Sequence, residues 1–170
     1  MPKRLTPTFL TKEVADLAIQ TVLNAVFDVN GGIDILLDRR MCHIDVLVPS
    51  TQHDDDRWMP RQIEPLLLHE HSVSPDEWPH GFGLIARSKA TELWDGQNDG
   101  RTDCQPHLLF SGDTPFWGGV KREGIVVACS GIQPHFDRMI ASMIADMCVA
   151  LAYNAWKISE DNARGVDFLT

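Results

Sequence analysis

The chain has no C-x-x-C pair, no glycine-rich phosphate loop and no surplus of positive charge. Each absence closes a class of function. Its four cysteines, Cys42, Cys104, Cys129 and Cys148, stand far apart, so neither a zinc knuckle nor a disulfide framework is expected. Cys129 and Cys148 lie in apolar segments and read as small buried residues. No G-x-G-x-x-G and no P-loop signature follows an expected strand, which disfavours a nucleotide-binding α/β fold. Lys and Arg number 15 against 24 Asp and Glu, a formal charge of −9, and the basic residues are scattered. That excludes nucleic-acid binding through a basic face, which needs clustered Lys and Arg to neutralise phosphates. No run of consecutive apolar residues approaches the roughly 18 that span a bilayer. Met1-Pro2-Lys3-Arg4 is charged but leads into no apolar signal core, so no membrane partner is expected and the cytoplasm is the default location.

What remains is an ordinary globular composition, 44% hydrophobic and 23% charged over 170 residues, enough for one domain. After an arm over residues 1–10, Thr11 reads as an N-cap with Glu13 favourably placed against the helix dipole. Val14, Leu17, Ala18, Thr21, Val22, Ala25, Val26 and Val29 recur at helical spacing, and Asn30-Gly31-Gly32 ends the helix. The short apolar run Ile33 to Leu37 and the alternation from Cys42 to Val48 predict a strand pair, turning at Asp38-Arg39-Arg40. Ile44, Val46 and Val48 share one face of that second strand. His43, Asp45 and Leu47 share the other, so His43 is expected to face solvent or a subunit.

Residues 50–81, rich in proline, read as a long loop with room for a short helix over Arg61 to Leu68. Phe82, Ala86, Ala90 and Leu93 form the stripe of a second helix stopped by Gly96. His107 to Phe110 reads as a brief strand, Lys121-Arg122-Glu123-Gly124 as a hairpin turn, and Ile125 to Cys129 as the strongest strand. Pro134 and Asp137 open a last helix reaching about Trp156, with Phe136, Ile140, Met143, Met147, Ala150 and Leu151 along one face. A polar tail covers residues 157–170. This order predicts an α+β single domain, an antiparallel sheet flanked by helices.

Four stretches carry a resemblance. They are Ile85-Ala86-Arg87-Ser88-Lys89-Ala90, Gly118-Gly119-Val120, the hairpin and strand from Gly124 through Ser130-Gly131, and the acidic Asp137. Together they resemble the GlcG/HbpS-like domain family over about residues 82–152, and more weakly over 11–48. The resemblance implies a profilin-like α/β/α layering and assembly into a homo-oligomer. It also implies a ligand pocket near the Gly118-Gly119 and Ser130-Gly131 turns, bordered by His107 and His135. Haem or a related tetrapyrrole, or a small organic acid, is the implied ligand. Two departures stand out. The turn Asp38-Arg39-Arg40-Met41 lacks the family's glycine, and the segment 51–81 is longer than the family's link, as an inserted loop would be.

Several side chains have two readings each. His69-Glu70-His71 with His80 offers imidazoles to a metal or haem iron, since alternate residues of an extended segment share a face. The other reading is a solvated or interface loop. Ser130, Gly131 and His135 sit at a helix N-terminus, which favours anions, and equally read as a simple cap. Ser130 lacks the G-x-S-x-G context of a nucleophile. Asp54-Asp55-Asp56 reads as a solvated turn. Met139, Met143 and Met147 read as core or subunit packing. Trp58, Trp78, Trp94 and Trp117, at element ends, read as interface anchors. Two functions stay open beside a purely structural assembly role. One is an oligomeric small-ligand-binding protein. The other is an enzyme acting on a small organic acid, a hydrolase or lyase using His69, His71 or His80 with Glu70 or Asp55 as acid, base or metal ligand.

Overall fold

The computed structural model describes residues 4–52, 61–101 and 105–169. The acidic run Asp54–Asp56, Trp58 and Cys104 lie outside the described residues. Strands β1 (Arg4–Leu5), β2 (Cys42–Gln52), β3 (Glu64–Val73), β4 (Gly119–Arg122) and β5 (Ile125–Ser130) form one antiparallel sheet. Across its width the order is β3-β2-β5-β4, and β1 pairs with the last residues of β2. The helices are α1 (Lys12–Val26), α2 (Asp34–Leu37), α3 (Phe82–Asp95), α4 (Pro134–Lys157) and α5 (Glu160–Arg164). Helices α1 and α4 pack on each other and on one face of the sheet, while α3 lies on the other. The chain is therefore α+β, in three layers.

Local chemistry sets these elements. The Thr11 hydroxyl accepts the Val14 N–H at 3.4 Å and caps α1. Gly96 ends α3 with φ +79°. Glu123 and Gly124 turn the β4–β5 hairpin with φ +48° and +86°, the two positive values a tight hairpin turn requires. The period-2 alternation of β2 and β5 then sorts their side chains between two cores. Cys42, Ile44, Val46 and Val48 join Val127, Cys129, Ile19, Val22, Ile140 and Ile144 beneath α1 and α4. Leu47, Val126 and Ala128 meet Ala90 and Leu93 of α3. Each fully buried Ile or Val contributes roughly 1.5–3 kcal/mol by leaving water.

Four expectations are corrected. Ile33 to Leu37 is no strand: Asp34–Leu37 makes a single helical turn that sinks Leu36 into the core at 0% exposure. The partner of β2 is β3, inside the segment expected to be a loop. Its alternation was masked because a bulge opposite Val46/Leu47 inserts Leu68 as an extra residue and shifts the period. His107–Phe110 is a turn, held by the Gln97 amide donating to the Leu108 carbonyl and the Phe110 N–H donating to Asp113. The helix stripes are also rotated. In α4 the buried set is Asp137, Ile140, Ala141, Ile144, Ala145 and Cys148, leaving Met143 exposed, and in α1 Leu17 is exposed while Ala15 and Ile19 are buried. Both registers satisfy helical spacing, so the neighbours decide between them.

With 24 residues and a mean hydropathy of 1.3 in its most apolar window, α4 is long and apolar enough to cross a membrane by length and composition. Here its apolar stripe is part of the core against the sheet and α1. The polar tail includes α5, capped by the Ser159 hydroxyl accepting the Asn162 N–H at 3.1 Å.

Candidate functional site

From Cys42 to Val48 the α3 face of β2 buries ionisable groups where the α1–α4 face buries Cys42, Ile44, Val46 and Val48. His43, expected to face solvent or a subunit, is 6% exposed, and Asp45 is 0% exposed. The reason is α3, which lies over their side of the sheet. Pairing of β2 with β3 sets His43 opposite Ser72 and Asp45 opposite Glu70. The His43 ring then bridges two partners, with Nδ1 2.8 Å from Ser72 Oγ and Nε2 3.2 Å from Asp45 Oδ1. Arg87, one turn into α3, donates from Nε to Asp45 Oδ2 at 2.7 Å and from Nη2 to Asp45 Oδ1 at 3.3 Å. The same Nη2 donates to Glu70 Oε2 at 2.8 Å.

Burial opposes a charge on Asp45. The hydrogen bonds from His43 and Arg87 outweigh it and hold the carboxyl below its usual range. His43, Asp45 and Glu70 place one donor atom each within 4.8 Å of one another, the only such trio of metal-ligand types among the described residues. The positive charge among them is the Arg87 guanidinium.

Beside this network lies a cleft of about 300 Å³ lined by His43, Trp78, Gly81, Gly83, Leu84 and Arg87. Trp78 donates its Nε1–H to the Val73 carbonyl at 2.9 Å and sets its ring edge-on to His43, with centroids 5.8 Å apart. It was expected as an exposed interface anchor. Trp94, also expected as an anchor, lies under the Lys121 ammonium, and Trp156 packs against Phe9. Helix α3 starts at the cleft from Gly81, which has no side chain to cap it. The Phe82 N–H donates to the His80 carbonyl at 2.9 Å, and the Gly83 and Leu84 N–H groups of that first turn have no helical carbonyl to meet.

The residues expected to line a pocket sit elsewhere. Gly118, with φ +123°, is packed so that a Cβ would lie 2.7 Å from Asp137 Cβ, and a Cβ on Gly131 would lie 2.4 Å from the Met41 carbonyl oxygen. Gly119 and Ser130 are buried too. These close approaches are chain to chain, where the sequence pattern suggested chain to ligand. His107 and His135 are exposed, the latter packed on the Phe136 ring. Next to Gly118, Lys89 is 2% exposed and donates to the Cys129 carbonyl at 2.8 Å and to Asp137 at 3.1 Å. Burial pushes the Asp137 carboxyl up, and Lys89 and the Ile132 N–H counter it.

His69 and His71 do share a face of β3, but that face looks at α1. His69 Nε2 lies 3.1 Å from Asp16 and His71 Nδ1 lies 3.4 Å from the Gln20 amide. His80 packs near Phe82 instead, so the three imidazoles do not converge. Glu70, named with them, does enter the site, through the opposite face of the strand. Arg87, Ser72 and Trp78 were not singled out for it. One signal was present: Gly81-Phe82-Gly83-Leu84-Ile85-Ala86 places two glycines where a helix begins, the spacing that lets a ligand approach backbone N–H groups. No family model, curated protein or solved structure matches the chain.

Proposed function

We propose that this is a small-ligand-binding domain of the GlcG/HbpS-like type, and that it binds a small organic acid in the cleft at the start of α3. The observation that carries the reading is the Arg87 guanidinium at the cleft wall, aimed from behind by the buried Asp45. Its second partner, Glu70, is a weak competitor. The Arg87–Glu70 bridge has side chains 43% and 56% exposed, and exposed bridges contribute only about 0–1 kcal/mol. A ligand carboxylate can therefore take Glu70's place while Asp45 keeps the fork in position. The Gly83 and Leu84 N–H groups at the start of α3 add a second attraction for the same anion, and Gly83 lets the ligand come close. Trp78 and Leu84 offer an apolar wall for the rest of the molecule.

The resemblance is supported by where its motifs meet. Lys89, Gly118 and Asp137 come from three separate stretches and join at one buried ion pair. Of the ligands it implies, the acid is favoured over haem. The cleft is at the small end of the roughly 300–1,000 Å³ of small-molecule sites, and both His43 nitrogens already have partners. Self-association belongs to the same reading, with Leu84, 81% exposed at the cleft, as an apolar group for a second copy to cover. Free buried thiols at Cys42, Cys129 and Cys148 suit the cytoplasm.

Saturation-transfer NMR with benzoate and phenylacetate tests the binding claim. Transfer that disappears in Arg87→Ala supports it, and no transfer to the wild type ends it. A saturable Soret shift with hemin would turn the reading toward haem. Native mass spectrometry tests assembly, and a strict monomer contradicts it.

A further inference from the structure

We propose that the cleft hydrolyses small carboxylic esters, with Ser72 as nucleophile, His43 as its base and Asp45 as the residue that positions the base. The proposal rests on the cleft being the ligand site and adds a reaction to it. Its first support is the alignment. Ser72 Oγ, the His43 ring and Asp45 Oδ1 form a continuous relay at 2.8 and 3.2 Å, built on one face of two paired strands.

The proton positions follow from the charges. Asp45 is ionised and can only accept, so His43 Nε2 must carry the hydrogen that faces it. In the neutral ring Nδ1 is then the bare nitrogen, placed to accept the Ser72 Oγ–H. The imidazole is thus held in the tautomer that can take the serine's proton, with the two ring nitrogens in swapped roles relative to the usual triad. Arg87 reinforces this through its two bonds to Asp45. It also leaves the Nη1 hydrogens for an acid group on the substrate.

Access and charge stabilisation complete the site. Ser72 is exposed on β3 at the rim, 2.8 Å from the His43 ring that lines the cleft, so ester and water can both reach it. The Nδ1 side of His43 faces the cleft, since a Cβ on Gly83 would lie 3.8 Å from both Nδ1 and the Trp78 ring. Gly83 and Leu84, in the first turn of α3, line the same cleft, and their N–H groups are the donors the proposal assigns to a developing oxyanion.

Ser72 Oγ attacks the ester carbonyl carbon as its proton passes to His43 Nδ1. The bond from that carbon to the alcohol oxygen breaks, and the alcohol leaves with the proton. Water then adds to the acyl carbon and gives a proton to Nδ1. The bond to Oγ breaks and the proton returns to Ser72. One ester and one water become one acid and one alcohol.

The test uses the whole chain with a fluorophosphonate label, p-nitrophenyl butyrate turnover and benzoate binding in parallel. Labelling of Ser72, absent in Ser72→Ala, and turnover about 10²–10⁴-fold lower in that variant support the proposal. Exposed Ser72 leaves the fold of this variant intact, which circular dichroism checks. Asp45→Asn is expected to lower kcat while leaving KM nearly unchanged, because Asn permits the wrong tautomer; a change in KM alone would count against the relay. Benzoate binding without labelling or turnover overturns hydrolysis and leaves the ligand-binding reading standing. Loss of both overturns both.

Discussion

Two faces of one sheet are buried here in opposite chemical terms. Beneath α1 and α4, β2 presents Cys42, Ile44, Val46 and Val48, and each needs nothing but close neighbours. Beneath α3 the same strand presents His43 and Asp45, and α3 answers with Arg87, Lys89 and Glu92, of which Lys89 and Glu92 are buried. Every one of these polar groups has a named partner. Glu92, whose carboxyl burial pushes up, accepts from the Ser88 hydroxyl at 2.7 Å and the Thr114 N–H at 3.2 Å, pinning the loop that follows α3. Buried ionic groups are weak contributors to stability compared with hydrocarbon of the same volume, yet removing one partner is severe. The α3 face is therefore the side where the fold accepts a poorer bargain, and the cleft opens on that side.

The largest break in this comparison is at the ion pair. Lys89→Ala leaves the nearly dry Asp137 carboxyl without its cation, and should lower unfolding free energy by about 3–5 kcal/mol in urea titration. Replacing both partners, Lys89→Met with Asp137→Leu, should recover most of that loss. A double variant as unstable as the single one would mean that the pair is a net contributor, and the contrast between faces would weaken. Next in size is Gly118→Ala. Its φ of +123° and the 2.7 Å approach to Asp137 Cβ are both intolerant of a side chain, so a loss of about 1–3 kcal/mol is expected by thermal or urea unfolding.

The sequence pattern carried the apolar face further than the polar one. Alternation in β2, the stripe of α3, the β4–β5 turn and the opening of α4 at Pro134 all stand where local chemistry put them. Such signals are local: a period, a cap, a turn. His43 reads as facing solvent or a subunit because polar residues of an alternating strand usually point away from the core, and only a helix about 40 residues on covers it. β3 was hidden by its bulge and by Pro65. The relay Ser72–His43–Asp45–Arg87 spans two strands and a helix, so no spacing along the chain encodes it. The resemblance did single out Ile85 to Ala90, which contains Arg87 and Lys89, but for its pattern rather than for these contacts.

Titration separates the faces more gently. Asp45 has a folded pKa below its ordinary value, so its contribution is present above about pH 3.9 and is lost as pH falls through the folded value. Asp137 and Glu92 run the other way. Their folded values are raised, the native state binds more protons, and stability declines as pH rises through that window. On the α1 side, His71 is a titrating histidine. Burial lowers its pKa from the ordinary 6.5, so the fold prefers it neutral, and stability falls as pH drops below about 6.5. His71→Asn should therefore flatten the dependence of Tm on pH between about 7 and 5.5. An unchanged slope would place that acid sensitivity elsewhere.

The smallest expected effect on stability is the sharpest on function. Gly83 has no positive φ, and a Cβ there would meet only ordinary contacts at 3.8 Å from the His43 ring and from Trp78. Alanine at a helix position is favoured over glycine by about 0.8–1.0 kcal/mol in a helix interior, and by less in the first turn where Gly83 sits. Gly83→Ala should thus raise Tm slightly while narrowing the cleft at the backbone, where a ligand carboxylate would approach. Saturation transfer to benzoate should weaken in the same sample that unfolds later. Gly118→Ala must show the reverse order of cause, losing binding only as far as it loses fold. If Gly83→Ala stabilises the protein and leaves benzoate binding untouched, the start of α3 is a well-packed helix end and the acid does not sit there.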